Sequence, residues 1–291
     1  MTPWTQLLVL GCAQNCAGAL PAVIANITRL QELFEASEVL VLENDSTDAT
    51  ADQLRQWTRH SPGVHAFSLP GLQARLPQKT ERLAHLRNGG LAWMRQRQRL
   101  HGQALLLVLD LDEVNAEPWN LHTFRRVLQW FAAQPQAAAV FANQQPLYYD
   151  LWALRHPSLC PDDLWEQQLE LHLQQPQRSD AELLEAVLAN RRLRFSPEAA
   201  PIPVESAFGG LGFYRGEWLQ RLPQAAYAGS RCRWISSPQG PRLIRWQCAE
   251  HVAFHAHLRR AGAELWIHPA LINGSVPELR LNPGAWRHMQ G

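Results

Sequence analysis

The chain has 291 residues with 27 basic and 26 acidic side chains, and its formal net charge is +1 at pH 7. This balance gives no basic footprint for nucleic acid, and no run of Lys or Arg predicts binding to an anionic membrane. The five cysteines include no C-x-x-C pair, which excludes a zinc ribbon and a thioredoxin-type site and favours a reduced, intracellular protein.

The N-terminal stretch, residues 1–21, lacks the basic region that begins a signal peptide, and its apolar run breaks at Gly11 and Gln14. That run is far shorter than the roughly 20 residues of a membrane-spanning helix. We therefore expect a cytoplasmic protein without a transmembrane segment. Peripheral association is the one kind of membrane contact that the sequence leaves open.

Short apolar runs alternate with amphipathic stretches through the first half of the chain. Strands are predicted at residues 7–11, 38–44, 64–69, 104–109 and 137–143. Apolar residues at helical spacing predict helices at 19–35, 46–60, 78–99 and 118–134. Ser46 or Thr47 is the expected N-cap of the second helix. Nearly continuous apolar strands that alternate with helices predict an α/β fold, with a mostly parallel sheet covered on both faces.

The pattern changes after about residue 148. Residues 150–200 are polar and helix-rich, and 180–195 is the clearest helix among them. Residues 206–219 are glycine-rich and precede an irregular segment, and a last helix (248–262) and a last strand (263–273) follow. With no internal repeat or low-complexity tract, the sequence predicts one continuous domain with an elaborated second half.

Three of the predicted strands end in polar residues. In open α/β sheets, ligands bind outside the carboxyl ends of the strands. We therefore expect six polar side chains to surround one crevice. They are Asn15, Glu43, Asn44, Asp45, Asp110 and Asp112.

The most apolar strand ends in a D-x-D pair, Asp110 and Asp112. Alternation along a strand lets both carboxylates approach one hard cation from the same side, and Mg²⁺ or Mn²⁺ prefers such oxygen ligands. Leu111 would then remain in the core, and Glu113 would point away from the metal. A strand end that simply meets water is the alternative.

Four segments, in the right order, resemble the motifs of GT-A glycosyltransferases. VLVLENDSTDAT (39–50) is similar to their first nucleotide-binding motif, and LLLVLDLDEV (105–114) to their D-x-D motif. ESAFGGLGFYR (205–215) resembles their acceptor-side glycine pair, and residues 249–273 their C-terminal segment. The forms ENDSTD, TERLAHLRN and EHVAFHAHLRRAG look most like the fungal capsule α-1,3-mannosyltransferase family and its bacterial relatives.

The resemblance covers roughly residues 7–273 and implies a GT-A fold. Residues 1–147 would form a nucleotide-sugar-binding half and residues 148–291 an acceptor-side half of a single domain, 1–291. It implies a glycosyltransferase that uses Mn²⁺ or Mg²⁺ to move a sugar from a nucleotide-diphosphate sugar to a glycan, a lipid-linked acceptor or another hydroxyl. The nearest family implies GDP-mannose as donor and retaining transfer.

The resemblance also implies roles for residues on the donor side. Glu43 and Asp45, with Asn44 between them, would hold the base and ribose. Asp110 would contact the ribose or the metal, and Asp112 would bind the metal on the diphosphate. A helix that carries three polar residues would face the nucleotide, with a solvated helix face as the alternative. Those residues are Arg82, Arg87 and Asn88.

On the acceptor side, Gly209 and Gly210 would form a loop beneath the sugar, or else a plain tight turn. Glu250 and His251 stand where the family has Glu-Asp, so that the chain departs from the usual pattern for an inverting base. Glu250 could act as the base or hydrogen-bond a sugar.

The remaining histidines and the tryptophans each have a structural alternative. His251 and His255 are four residues apart, but Glu250 precedes them, unlike in the zincin motif, and buried hydrogen-bonded histidines are the alternative to zinc. His268 could complete a metal shell or lie in a strand core. Among twelve tryptophans, Trp152 and Trp246 are the candidates for stacking on a sugar.

Two other functions are compatible with an α/β sheet of this kind. A nucleotidyltransferase would need a glycine-rich first loop with Arg and Lys, and residues 11–21 contain neither basic residue. A non-catalytic carbohydrate- or partner-binding protein on the same fold would not need the intact D-x-D pair.

Overall fold

A computed structural model of the chain describes residues 3–237 and 240–289. The strands formed by these residues are β1 (Gln6–Ala13), β2 (Ala36–Glu43), β3 (Val64–Ser68), β4 (Ala104–Asp110), β5 (Ala137–Pro146), β6 (Ile202–Val204), β7 (Leu211–Arg215), β8 (Ser230–Ser237), β9 (Gly240–Gln247) and β10 (Glu264–Val276). The α-helices are α1 (Leu20–Gln31), α2 (Thr50–His60), α3 (Leu72–Arg75), α4 (Lys79–Gln96), α5 (Leu121–Ala132), α6 (Leu164–Gln174), α7 (Asp180–Leu188), α8 (Gly216–Arg221) and α9 (Glu250–Arg260). None of these helices combines the length and the hydropathy that crossing a bilayer requires.

Eight of these strands form one sheet in the order β3-β2-β1-β4-β7-β5-β10-β6. Strands β3, β2, β1 and β4 are parallel to one another, and β5 is parallel to β10. Strand β7 runs antiparallel between β4 and β5, and β6 runs antiparallel beside β10. The predicted α/β class with a mostly parallel sheet is confirmed, and strands from both halves of the chain belong to that sheet.

Strand β4 lies at the centre of two core layers. Leu105, Leu107 and Leu109 face the layer that contains the apolar sides of α1, α2 and α5. Leu106 and Val108 face the other layer, with α4, α6, α7, α8 and α9. Because helices cover both faces, β4 is apolar at every position until its last residue.

Helix α2 begins later than predicted, at Thr50, and neither Ser46 nor Thr47 caps it. Ser46 Oγ accepts a hydrogen bond from Asn15 N at 3.1 Å, and Thr47 N donates to Asn15 Oδ1 at 2.7 Å. The capping prediction was wrong because these side chains fasten the loop after β2 to the loop after β1.

The segment predicted to be irregular contains an antiparallel hairpin of β8 and β9. Ile235, Ile244 and Trp246 are buried, whereas Trp234 and Leu243, which pair across the two strands, are 67% and 56% exposed. Because Trp246 is fully buried, the prediction that it stacks on a sugar was wrong. The hairpin escaped prediction because arginines occupy inward positions and interrupt the apolar alternation.

The helix predicted over 180–195 ends at Leu188. The chain then turns back towards the end of β5, where Leu193 O accepts a hydrogen bond from Tyr148 N at 3.0 Å. Phe195 O accepts another from Asn143 Nδ2, also at 3.0 Å. Residues 189–195 therefore satisfy polar groups of β5 and of the residues just after it instead of extending the helix.

Candidate active site

A crevice of about 340 Å³ opens beyond the carboxyl ends of β1 and β4. The start of α4, the β5–α6 connection, the turn before β7 and the start of α9 also contribute to its walls. Of the residues predicted around the crevice and on the donor and acceptor sides, seven line it: Asn44, Arg82, Arg87, Asp110, Asp112, Glu250 and His251. The other residues of these predictions lie outside this lining: Asn15, Glu43, Asp45, Asn88, Gly209 and Gly210.

The D-x-D pair lies at the exit of β4. Asp110 is the last residue of the strand, and Asp112 is the N-cap of a 3₁₀ turn, Glu113–Asn115. Leu111 between them is 2% exposed and belongs to the core, as alternation along the strand predicted. Asp110 and Asp112 both line the crevice, and Glu113 does not.

Arg87 pairs with one oxygen of Asp110, whereas Asp112 has no ion-pair partner among the described residues. Asp112 Oδ1 accepts one long hydrogen bond, 3.3 Å from Val114 N, and the Oδ2 atoms of Asp110 and Asp112 accept none from residues 3–237 and 240–289. Burial, together with the charge of Asp110, raises the pKa of Asp112 to about 6. Two close carboxylates with unused oxygens are the donor set that a hard divalent cation needs.

Arg87 is buried between two acids. Its Nη2 donates to Asp110 Oδ1 at 3.0 Å, and its Nη1 forms an ion pair with Glu250. The guanidinium carbon lies 5.1 Å from the ring centre of Phe208 and 5.8 Å from that of Tyr227. With 2% exposure, Arg87 links the donor-side and acceptor-side acids, and these contacts already use its guanidinium.

Glu250 and His251 form the first turn of α9. An acid is favoured there because the helix N-terminus carries partial positive charge. The His251 ring stacks on Phe208 with 3.8 Å between ring centres, and neither of its nitrogens has a hydrogen-bond partner among the described residues. Burial, with the positive charge of Arg87, lowers the pKa of His251 well below its ordinary value, so the imidazole is neutral.

His255 belongs to a buried hydrogen-bond network. Its Nδ1 lies 2.8 Å from Ser206 Oγ, and its Nε2 lies 2.8 Å from Tyr214 OH. Because both ring nitrogens are used, it has none left for a zinc ion, and the alternative of a hydrogen-bonded core histidine is confirmed for His255.

The two predicted acids of the ENDSTD segment (43–48) are used by hydrogen bonds inside the protein. Glu43 Oε1 accepts from Ser46 N at 2.8 Å, and its Oε2 accepts from Ser68 Oγ. Asp45 has a positive φ of 51° and binds the start of α3, accepting from Gly71 N and Gln73 N. The carboxylates of Glu43 and Asp45 thus shape the loops beside the crevice. Of Glu43, Asn44 and Asp45, only Asn44 lines the crevice.

The predicted residues of α4 also make internal contacts. Arg82 Nη1 donates to the carbonyls of Leu76 and Pro77, at 2.9 and 2.6 Å. Asn88 binds the backbone of Tyr227 twice, as donor at 2.9 Å and as acceptor at 2.8 Å. The helix also brings the only lysine of the chain, Lys79, to the crevice, where it is exposed.

The glycine pair packs behind the D-x-D turn. Gly209 and Gly210 have positive φ values of 65° and 76°. A Cβ on Gly210 would lie 2.6 Å from Val114 Cγ1, so the turn needs glycine for close approach as well as for its φ. Gly209 N donates to Asp150 Oδ2 at 3.0 Å.

Asp150 lines the crevice although the sequence did not single it out. It follows β5, and its Oδ1 accepts from Ala153 N at 3.2 Å. Burial raises its pKa. The only signal in the sequence was an acid in a polar segment just after a predicted strand.

Three buried amides lock the D-x-D turn to the glycine turn. Asn115 Nδ2 donates to Asp110 O and Gly210 O, both at 2.9 Å. Asn273 Nδ2 donates to Asn115 Oδ1 and Gly209 O, at 2.8 and 2.9 Å. The third amide, Gln144, donates to Gly209 O at 2.8 Å. Such a satisfied buried network fixes the geometry of both turns.

The remaining aromatic predictions divide between the crevice and the core. Trp152 lines the crevice, and its Nε1 donates to Asp163 Oδ2 at 3.0 Å. His268 lies in β10 against Trp130, with 5.0 Å between ring centres, and does not line the crevice. Of the two alternatives for His268, a metal ligand or a residue packed in a strand, the structure agrees with the second.

No protein-family model matches the chain, and no curated protein sequence matches it. Solved structures do resemble it. A mannosyltransferase from Pyrobaculum calidifontis, in complex with GDP-Man and Mn²⁺, has a TM-score of 0.51 and 16% identity over 98% of this chain. The chain spans 61% of the length of that protein.

Two further structures are similar at lower scores. One is a glucosyl-3-phosphoglycerate synthase from Mycobacterium tuberculosis in complex with UDP, with a TM-score of 0.43 and 15% identity over 96% of this chain and 73% of its own. The other is S. aureus TarS, with a TM-score of 0.44 and 12% identity over 90% of this chain and 57% of its own. At these identities the likeness to the Pyrobaculum mannosyltransferase establishes the fold alone, which is the predicted GT-A fold.

Proposed function

We propose that the chain is a metal-dependent glycosyltransferase that moves a sugar from a nucleotide-diphosphate sugar to a hydroxyl of an acceptor. One observation carries the proposal: a D-x-D pair with unused oxygens faces a crevice at the carboxyl ends of a GT-A sheet. Residues 1–291 would work as one domain, with 1–147 binding the donor and 148–291 the acceptor.

Asp110 and Asp112 would hold Mn²⁺ or Mg²⁺. No group of three or more His, Cys, Asp or Glu side chains suited to a metal occurs in the described part of the chain, so the remaining ligands would come from the donor diphosphate and water. When bound, the cation would neutralise the charge that develops on the leaving nucleoside diphosphate. Lys79, exposed at the same crevice, adds a positive charge near the two carboxylates.

The donor would be GDP-mannose, which is the sugar nucleotide bound to the Pyrobaculum mannosyltransferase and the donor implied by the family that the sequence resembles. The Asn44 side chain at the wall, shaped by Glu43 and Asp45, would contact the base and ribose. Arg82 and Asn88 would act indirectly, by holding the loops that form the nucleotide side.

Arg87 would act as a positioning residue. By pairing with Asp110 it orients one metal ligand, and by pairing with Glu250 it holds that carboxylate towards the reacting sugar. Glu250 would stabilise the sugar in the transition state through a hydrogen bond, because a carboxylate paired with a buried guanidinium is a weak base. The neutral His251 and Phe208 would shape the apolar wall beside it.

A thermal-shift screen tests the proposal. GDP-mannose, UDP-glucose and the free nucleoside diphosphates are each added with and without Mn²⁺. A donor at a hundred times its dissociation constant should add about 2.7 kcal/mol of stability. A shift with a sugar nucleotide only in the presence of Mn²⁺ supports the proposal, and no shift with any of them contradicts it.

A variant of Asp45 tests the proposed nucleotide side of the site. Asp45→Ala should weaken binding of the nucleoside diphosphate, because Asp45 orders the loop beside Asn44. Unchanged affinity in a folded variant would remove Asp45 from the proposed site.

A further inference from the structure

A second cavity of about 370 Å³ opens next to the crevice and shares Asp112 and Tyr149 with it. The opposite wall is residues 277–281, which follow β10 and which we name the strap. We name the space between the strap and the D-x-D turn the strap cavity. A molecule bound there would reach the crevice beside the proposed metal ligand.

The strap cavity presents more apolar than polar surface, although charged residues also line it. Val114, Val276, Leu279 and Leu281 line it, and all four are only partly buried. Apolar surface left half exposed in a concave site gains free energy when an apolar ligand covers it. The charged strap residues pair with each other at the exposed rim, where Arg280 Nε lies 3.1 Å from Glu278 Oε1.

The strap cavity offers few neutral polar or aromatic groups that could recognise a sugar chain. Its one lining hydroxyl besides Tyr149 is Ser275, which donates to Glu117 Oε2 at 2.9 Å. Tyr149 is its one aromatic ring among the described lining residues. Of the charged lining residues, Asp112 belongs to the D-x-D pair, Glu113 is exposed, and Glu278 pairs with Arg280. The lining as a whole presents more apolar than polar surface, which favours an apolar ligand.

A third cavity, of about 440 Å³, is also lined by the strap. It shares Pro277, Glu278, Leu279 and Leu281 with the strap cavity and extends to Leu147 and α7. Leu279 and Leu281 of the strap therefore contribute to both cavities, and the third cavity also has an ion pair, Arg192 with Glu185, in its lining.

We propose that the strap cavity binds the apolar part of a lipid-linked acceptor, whose hydroxyl enters the crevice beside Tyr149 and Asp112. This inference rests on the proposed function, since it assigns the acceptor class of the same site. It selects the lipid-linked class over a free glycan because the cavity presents more apolar than polar surface and adjoins the crevice.

Binding of hexyl, heptyl and octyl β-D-glucoside, measured by calorimetry below their micelle concentrations, tests the inference on the full chain without donor or metal. Each methylene that becomes buried should tighten binding by up to about fourfold. Leu279→Asn should remove this dependence on chain length. Val276→Thr should remove it too, and because it preserves side-chain volume it serves if Leu279→Asn folds poorly. Leu173→Asn is the control, since Leu173 is 38% exposed on α6 and lines neither cavity.

Equal affinity for the three glucosides would overturn the inference, as would an unchanged dependence in both strap-cavity variants. If Leu243→Asn removed the dependence on chain length, the alkyl chain would bind at the exposed pair Trp234 and Leu243 of the β8–β9 hairpin, and the inference would also be overturned. The donor screen is independent of this test. Chain-length-dependent binding without any donor shift would refute the glycosyltransferase and leave the strap cavity as an apolar ligand site without an acceptor role. A donor shift without chain-length dependence would refute the apolar acceptor site and leave the glycosyltransferase.

Discussion

Asp163 and Asp112 both stand at the start of a helical turn, yet the protein surrounds them in opposite ways. Asp163 caps α6, is 2% exposed and accepts hydrogen bonds from Trp165 N, Glu166 N, Trp152 Nε1 and Arg155 Nη2, at 3.0 to 3.3 Å. Asp112 accepts one bond of 3.3 Å and lies beside a second acid.

The difference separates a structural carboxylate from one kept for a ligand. Four donors satisfy the oxygens of Asp163 inside the protein, so its hydrogen bonds hold α6 and Arg155 in place although burial raises its pKa. Asp112 is partly desolvated next to a like charge, so its charge costs stability until something binds. Each of the following variants tests one side of this comparison.

The largest stability effect is expected at the satisfied carboxylate. Asp163→Ala should lower the free energy of unfolding by about 3 kcal/mol, because it leaves Arg155 without its carboxylate and α6 without its cap. Urea denaturation measures this loss. The neighbouring Asp162 is exposed, and Asp162→Ala should change stability by no more than about 0.5 kcal/mol. Equal losses in the two variants would contradict the structural role of Asp163.

Substitution of Glu250, the acid that Arg87 links to Asp110, should reduce turnover. Glu250→Gln should lower kcat by about a hundredfold or more, while the donor dissociation constant stays within about threefold. Such a split marks an interaction made mainly in the transition state. Steady-state kinetics and calorimetry with the donor identified by the thermal-shift screen measure it.

Glu166→Gln is the matched control for that experiment. Glu166 is also a buried acid paired with arginine, accepting from Arg231 at 2.6 and 2.7 Å, but it does not line the crevice. Turnover should therefore stay at the wild-type level in Glu166→Gln. Wild-type turnover in Glu250→Gln would make Glu250 a structural residue as well.

The sequence predicted the sheet and the crevice-facing acids because both depend on local patterns. Short apolar runs, separated by stretches with helical spacing, predicted the strands. The rule that ligands bind at the carboxyl ends of strands predicted that Asn44, Asp110 and Asp112 line one crevice, as they do. Resemblance added Arg87 and Glu250, which are 163 positions apart and meet only in three dimensions.

The features that escaped prediction depend on contacts distant in sequence. Asn115 in a predicted loop and Asn273 at the end of the last predicted strand look like ordinary polar residues until the glycine turn lies between them. Asp150 and Asp163 are both acids in one polar segment, and only their surroundings give one to the crevice and the other to α6. Composition cannot separate them because the number of donors around each is a tertiary property.

Substitution of Asp112 should have a smaller effect on the stability of the metal-free protein than Asp163→Ala, and it should stabilise the fold instead of destabilising it. Burial and Asp110 raise the pKa of Asp112 to about 6, so the folded state binds this proton more tightly than the unfolded chain does. The ionised carboxylate therefore destabilises the fold above pH 6, and the penalty fades as the pH falls towards 4. Asp112→Asn should raise the free energy of unfolding by roughly 1 kcal/mol at pH 7.5, after allowance for solvent screening, and should have no effect at pH 4.

Urea denaturation with a chelator, at both pH values, measures that difference. Glu113→Gln is the control, because Glu113 is exposed and lies outside the crevice. A loss of stability at pH 7.5 in Asp112→Asn would mean that the carboxylate serves the fold, as Asp163 does.

The central claim is that β4 ends in acids in order to hold a cation on the donor diphosphate. Calorimetric titration of GDP-mannose and GDP, with and without Mn²⁺, into wild type, Asp112→Asn and Glu113→Gln tests it most directly. Wild type and Glu113→Gln should bind at least about tenfold more tightly with Mn²⁺, since two carboxylates and a diphosphate share the ion. Asp112→Asn should bind equally weakly in both conditions. If Asp112→Asn keeps the same Mn²⁺ dependence as wild type, the strand ends in acids only because it meets water there.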